Sequence, residues 1–355
     1  MKTASIEPLA DIPIDPSIAE LPKADLHLHQ EGKARLDRVM SRRRGRPPYD
    51  WRTHARHVMD EIPPGMERLA GIYRPDAELA LGDAPEADPE SFVARVAATL
   101  EEGAADGAVL VEVRFGATLS VSPEDLMPLF REAEWRVRER YPWLRAEAIG
   151  YLNPVGDPER LLLEERRLET CLRLAPEGLA GVDLRVDPYD TEAGPELWEV
   201  AYRWAERAAA AGLGITVHAG EFSVANLGAA LRVPGLSRLG HAVHASRDPW
   251  LLERLARSGV TVECCLTCNV VLGAATSYQE HPIRRYAELG IPVTLNTDLP
   301  VHTGTTIGRE YAVAAALGFS REDLLGFTEN AVRASFLPAE RRDALLEELQ
   351  KWEGV

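Results

Sequence analysis

Four of the chain's nine histidines stand where one cation could gather them. His27 and His29 are two apart in Ala24-Asp25-Leu26-His27-Leu28-His29, and the two-residue period of a strand puts both imidazoles on one face. His218 opens the stretch His218-Ala219-Gly220-Glu221, His241 ends Leu239-Gly240-His241, and Asp298 ends Asn296-Thr297-Asp298. Singly these signals are weak. A His-x-His is more often two partly buried histidines than a ligand set, and an aspartate after a strand commonly caps a helix. Jointly they point to a metal site, because each group ends an apolar run. Three neutral imidazoles with one carboxylate suit zinc, ahead of iron or manganese. Zinc with one open position lowers the pKa of bound water from ~15.7 toward ~7 and so supplies hydroxide. Glu221, three residues after His218, is placed to shuttle protons. His241 can orient the hydroxide, and Asp298 can both ligate and accept a proton.

These groups must be brought together by the elements that carry them. Apolar, β-branched runs occur at Ala24–His29, Val109–Phe115, Ala146–Leu152, Leu179–Val186, Ile215–His218, Leu239–Val243, Val260–Leu266 and Ile291–Asn296. Helical periodicity separates them at Pro123–Arg140, Pro158–Leu174, Pro195–Ala211, Pro249–Ser258 and His281–Leu289. Eight alternating units predict an α/β fold of the (β/α)8 TIM-barrel type rather than a doubly wound sheet, where six strands are more usual. Barrel active sites lie at the C-terminal ends of the strands, where these polar residues fall. Residues 1–20, Pro-rich and acidic, read as an extended arm, and residues 21–355 as one hydrolase barrel. A helical insertion follows the first strand at about 33–107, with periodicity at Glu67–Tyr73 and Pro89–Glu102. Two closing helices are expected within Arg321–Gln350.

Composition bounds the function. The 355 residues carry 40 Lys and Arg against 56 Asp and Glu, a net charge of −16, which argues against a sequence-independent nucleic-acid binder. No apolar run is long enough for a membrane span, and the first twenty residues lack the apolar core of a signal peptide. Three of the four cysteines, Cys264, Cys265 and Cys268, crowd into five positions, so a reduced, cytoplasmic setting is expected.

The segments Leu21–Gly32, Val217–Glu221, Leu239–Ala242, Cys265–Asn269, His281–Ile283 and Pro292–Asp298 together resemble the adenosine deaminase family of metal-dependent amidohydrolases. The resemblance runs from about Leu21 to Leu337. It implies a (β/α)8 barrel holding one zinc through His27, His29, His218 and Asp298. Glu221 would protonate the purine ring nitrogen, His241 would assist the hydroxide, and Glu31 would approach the sugar hydroxyls. The substrate would be a small molecule and the protein a monomer or homodimer. Two positions depart from the family pattern: Leu299 replaces a second aspartate after Asp298, and Val186 stands near a glycine whose amide meets the purine. Gln30 also replaces an apolar residue. Each lost hydrogen bond to a buried polar atom costs roughly 1–3 kcal/mol. The implied activity is therefore hydrolytic deamination of an adenine nucleoside or related amino-heterocycle, with a favoured substrate other than plain adenosine. The alternative is a metal-dependent amidohydrolase cleaving a non-purine C–N or amide bond.

Other residues have blander readings. Arg42–Arg46 reads as a solvated helix end, Cys265 and Cys268 as buried thiols, and Arg114 as a core ion pair rather than a contact to an acidic substrate group. His54, His57, His244 and His302 are placed in structural or solvent roles ahead of substrate contact. Trp135, Trp143 and Trp204 are expected to pack.

Overall fold

The structure, a computed structural model, describes residues 6–79, 88–116 and 121–351. Eight strands form one sheet in sequential order: β1 (Lys23–His29), β2 (Ala108–Phe115), β3 (Arg145–Leu152), β4 (Gly181–Leu184), β5 (Gly214–Ala219), β6 (Leu236–His241), β7 (Thr261–Cys264) and β8 (Val293–Leu295). Every pairing is parallel. Beyond β8 the chain returns to β1, where Leu28 and Asp298 form a parallel bridge. The seam is stitched by side chains as well. Asn296 Oδ1 accepts from Leu26 N–H at 2.9 Å, and the Thr297 hydroxyl donates to Asp25 at 2.5 Å. This is the expected TIM-type barrel.

The connecting helices start where Pro follows a residue that ends the extended chain. Asp157, Asp248 and Asp88 cap helices that begin at Pro158, Pro249 and Pro89, each accepting from a first-turn amide. Proline suits the first helical position because that amide has no intrahelical partner. The helices lay apolar stripes such as Leu197, Ala201, Trp204 and Ala208 on the sheet, within one continuous core. Helices Arg321–Ala334 and Ala339–Gln350 close over β1 and β2, joining Ala24, Leu26 and Leu110 in a separate cluster.

Between β1 and β2 lie helices Gly32–Arg43, Trp51–Glu61, Met66–Ile72 and Pro89–Ala105, with a 3₁₀ turn at Arg74–Ala77. The insertion buries Ala55, Val58 and Ile72 against Cys265, Cys268, Leu272 and Leu299, so it covers the β7 and β8 side of the mouth. Arg42, Arg43 and Arg44 are exposed at the end of the first of these helices, as the solvated reading requires.

Some expectations shift. Residues 6–20 are not simply extended: Pro16–Ala19 forms a helical turn, and Leu9 is buried against the insertion. The apolar run at 260–266 stops as a strand at Cys264, and Leu266–Val271 is a helix. Trp135 and Trp143 are exposed rather than packed, while Trp204 is buried.

Candidate active site

The ends of β1, β5, β6 and the β8 seam bring five groups to one point. His27 Nε2 lies 2.9 Å from His218 Nε2, and His29 Nε2 lies 3.3 Å from the same atom. Asp298 Oδ1 is 3.3 Å from His29 Nε2 and 3.7 Å from His27 Nε2. His241 Nε2 is 3.9 Å from Asp298 Oδ2. Two local features of the sequence make this convergence possible. Gly240 leaves room for the His27 ring, since a Cβ there would sit 2.8 Å from His27 Cε1. Gly220 adopts φ +74°, and a Cβ there would also meet Leu227 at 2.6 Å. His241 and Asp298 themselves take left-handed φ of +67° and +60°, as does Glu31 at +51°. Non-glycine residues hold such angles at a cost of order 1–3 kcal/mol each, and they concentrate at functional sites.

The far side of each imidazole tests whether a cation fits. His27 Nδ1 meets Glu263 Oε2 at 2.7 Å, and His218 Nδ1 meets Asp183 Oδ1 at 2.9 Å. A carboxylate only accepts, so both Nδ1 atoms carry hydrogen and both Nε2 lone pairs point inward. Burial, followed by the nearby Arg114 charge, drives both rings well below the usual histidine range, so they are neutral. Two lone pairs facing each other at 2.9 Å repel unless a cation lies between them. Zinc–nitrogen bonds of about 2.0–2.1 Å in tetrahedral array place ligand atoms about 3.3 Å apart, which is the separation of His29 Nε2 from both His218 Nε2 and Asp298 Oδ1, with the His27–His218 pair somewhat closer. The donor set is compatible with a metal. His27, His218, His241 and Asp298 offer one such set of atoms within 4.8 Å of one another; His29 lies outside that set but 3.3 Å from two of its members, His218 Nε2 and Asp298 Oδ1.

Beneath the site the barrel holds a buried ion network that the sequence reading noticed only at Arg114. Arg114 bridges Asp183 and Glu263, and Arg238 bridges Glu263 and Glu112 at 2.6 and 2.7 Å. All five side chains have no exposure. Arg114 is thus a core ion-pair residue.

Glu221 is buried beside His241, with Oε1 3.8 Å from Nδ1. Burial raises its carboxyl, and the negative Asp298 nearby raises it further, which favours the protonated acid near neutral pH. Asn269, on the helix after β7, donates to Glu221 at 3.3 Å. Cys268 is buried and unpaired as expected, yet it is more than packing: its thiol bonds Asp298. Tyr189, absent from the sequence reading, stands against Glu221 with its buried hydroxyl short of full hydrogen-bond geometry.

A cavity of about 500 Å³ opens at the mouth, lined by His29, Gln30, Glu31, Tyr73, Tyr151 and Leu299 among others. The Glu31 carboxylate is already engaged by Val301 and His302 amides at 2.9–3.0 Å, the His302 ring at 2.8 Å and Arg35 at 3.2 Å. Leu299 lines the cavity and also packs in the apolar cluster under the insertion. Val186 packs in the main core. His302 is structural, linking Glu31 to Asp76 of the insertion at 3.2 Å. His54 bonds the Gly71 carbonyl at 3.1 Å. Half-buried His244 is pushed by burial down to about 4.

A parallel eight-stranded barrel with a histidine–carboxylate cluster at its mouth has the architecture of the barrel enzymes, whose active sites lie at the C-terminal ends of the strands. More specifically, the sequence model of the family described as adenosine deaminase matches residues 22–352, and the chain belongs to that family, hydrolases that act on C–N bonds. It is 30% identical over 370 residues to aminodeoxyfutalosine deaminase of Streptomyces coelicolor, covering 98% of this chain and 90% of that one. Its fold matches adenine deaminase from Arthrobacter aurescens with a TM-score of 0.73 at 24% identity, over 94% and 100% of the two chains. It likewise matches a zinc-bound amidohydrolase from Burkholderia ambifaria, with a TM-score of 0.71 at 20% identity over 96% and 94%. Among the described residues no helix is long and apolar enough to cross a membrane.

Proposed function

We propose that this chain hydrolytically deaminates an adenine nucleoside or related amino-heterocycle, with aminodeoxyfutalosine ahead of adenosine as substrate. The observation that carries the reading is the convergence of three imidazole Nε2 atoms and the Asp298 carboxylate beside the buried Glu221, whose carboxyl burial raises. The choice of substrate rests on the relative matched across nearly the whole chain and on Leu299 at the mouth.

His27, His29, His218 and Asp298 would hold the ion, and zinc suits this donor set. When bound, it supplies a water activated for attack at neutral pH. Glu221 gives its proton to the ring nitrogen next to the amine-bearing carbon, which makes that carbon electrophilic. Asp298 accepts a proton from the attacking water, and His241 hydrogen-bonds the attacking oxygen. The oxygen–carbon bond forms, the second water hydrogen passes to the Glu221 carboxylate as the carbonyl appears, and the carbon–nitrogen bond breaks as the amine takes the proton Asp298 had accepted and leaves as ammonia, which restores both carboxyls. Asp183 and Glu263 hold the imidazoles in register. Tyr73 of the insertion and Leu299 beyond β8 limit water at the mouth. The four unpaired, buried thiols support a reducing, cytoplasmic setting.

The test is ammonia release by metal-loaded protein from aminodeoxyfutalosine, adenosine, adenine, pterins and guanine, with Glu221→Gln beside it. Release from a purine nucleoside, lost by about 10²–10⁴-fold in Glu221→Gln with metal retained, is the expected result. Release from none of the panel would sink the reading. Leu299 at the mouth favours as second reading a non-purine C–N or amide hydrolase, which an amide panel would then reveal.

A further inference from the structure

His241 could serve a reaction in two opposite ways. A bare Nε2 would accept a proton or bind the ion, whereas an Nε2–H would donate a hydrogen bond. Which form exists is set by what Nδ1 meets. Here the chain of bonds that decides it starts at a backbone amide, whose polarity admits no alternative.

Ile283 N–H donates to His281 Nδ1 at 3.2 Å. His281 is buried, and burial pushes it down to about 3, so the ring is neutral. With Nδ1 accepting, its one hydrogen sits on Nε2. That atom faces Asn269 Oδ1 at 3.1 Å, which is a sound bond only if the oxygen accepts. The amide is thereby oriented. Its Nδ2 points to His241 Nδ1 at 3.0 Å and to Glu221 Oε1 at 3.3 Å, one hydrogen for each. An amide nitrogen cannot accept, so His241 Nδ1 holds a lone pair and the hydrogen sits on Nε2, the atom facing Asp298. Turning Asn269 over would set NH₂ against the His281 N–H, two donors with no acceptor in a fully buried place. Every bond from Ile283 to His241 therefore runs in one direction.

We propose that His281 and Asn269 are positioning residues that fix His241 as the Nε2–H tautomer, so that it acts as a donor to the attacking oxygen and neither as a base nor as a metal ligand. The same amide occupies Glu221 Oε1, which leaves Oε2 to carry the transferable proton. One amide plane thus sets the hydrogen of both groups. The residues come from different elements, Asn269 from the helix after β7 and His281 from the turn before helix Ile283–Glu288. The chemical role of the tautomer rests on the deaminase reading, but the tautomer itself does not.

The experiment uses the full-length, zinc-loaded protein labelled with ¹⁵N-histidine. Long-range ¹H–¹⁵N correlation distinguishes a bare ring nitrogen from a protonated one, and His241 is assigned by loss of its signals in His241→Asn. The expected wild-type pattern is bare Nδ1 and protonated Nε2, reversed in the isosteric Asn269→Asp. In turnover, Asn269→Asp and His281→Leu should each lower kcat by about 100-fold or more, the lower bound of acid–base effects, with KM within about 3-fold. His281→Gln, whose amide can still donate to Asn269, should recover to within about 10-fold, as hydrogen-bond replacement allows. A bare Nε2 in wild-type His241 overturns the proposal. So does an unchanged kcat in His281→Leu, or an equal loss in His281→Leu and His281→Gln, which would mark a packing role. If the wild type released no ammonia, the deaminase reading would fall, while the ¹⁵N pattern would still decide the tautomer.

Discussion

Asp298 and His27 are joined through their backbones: the Asp298 N–H donates to the His27 carbonyl at 2.7 Å, and the neighbouring His29 N–H returns to the Asp298 carbonyl at 2.9 Å. Three candidate ligands therefore sit where the barrel closes, His27 and His29 on β1 and Asp298 three residues beyond β8. β8 has only three residues, so this closure leans on the side chains of Asn296 and Thr297 just beyond it.

Loosening that seam should weaken the fold and the metal site together. Asn296→Leu strands the buried Leu26 amide, at a cost of about 1–3 kcal/mol. Chelator competition should show faster metal loss in the same variant that unfolds at lower urea. A loss of stability with metal retention unchanged would separate closure from ligand assembly.

Neutralising the carboxylates behind the imidazoles should weaken the metal site, and because both also pair with buried arginines it should cost stability as well. Asp183→Asn and Glu263→Gln keep the shape but weaken the polarity that holds each Nδ1–H. Metal affinity should fall about 10–100-fold, measured by competition with a fluorescent zinc chelator. Arg114→Met is different, because it leaves Asp183 and Glu263 without a shared buried partner. It should cost on the order of 3–5 kcal/mol of stability, read by chemical denaturation of the metal-free protein.

The inward-facing ends of the long-range site were legible because each broke an apolar run: His27 and His29 at period two, then His218, His241 and Asp298. Eight strands and the late closing helices followed from periodicity. Other parts were hidden for physical reasons. Asp183 and Glu263 are charges set inside apolar runs, and only their partners, which lie tens of residues away, make them functional. Glu112 and Arg114 did share a strand period, a signal that could have pointed to a charged interior. Cys265-Leu266-Thr267-Cys268 is short and apolar, where strand and helix look alike. Helix Trp51–Glu61, rich in Arg, His and Thr, buries Trp51, Ala55 and Val58, a stripe at i, i+4 and i+7 only one residue wide per turn.

The His302 link between Glu31 and Asp76 should give stability a pH signature. Burial alone would lower the ring, but the Asp76 and Glu31 bonds outweigh it and raise it to about 9, against 6.5 when unfolded. A raised value means that the folded state holds the proton more tightly. The contribution is fully present below about pH 6.5 and is lost as pH rises through about 9, on the order of 3 kcal/mol at most. His302→Gln should therefore lie below wild type at pH 6 and converge on it by pH 10 in parallel urea titrations. A gap that stays constant across that range would show that the ring is not charged in the fold.

Leu299 offers the sharpest test of specificity, because it faces two demands. It lines the mouth, where the family resemblance expects an aspartate for the purine, and it packs with Leu9, Ala55, Val58 and Leu272 under the insertion. Leu299→Asp adds a carboxylate to that apolar cluster, so stability should drop by roughly 1–3 kcal/mol even with the group protonated. Leu299→Asn adds polarity without charge at the same volume. If the position reads the purine, both variants should shift the ratio of kcat/KM for adenosine over aminodeoxyfutalosine toward adenosine by about 5- to 150-fold, the same 1–3 kcal/mol expressed as discrimination. Glu221 lies outside that apolar cluster, so kcat on the better substrate should change less than the ratio. A ratio that stays within about 2-fold while both variants lose stability would assign Leu299 to packing under the insertion, and the recognition of the heterocycle would have to come from Tyr151, Tyr189 and Gln30 instead.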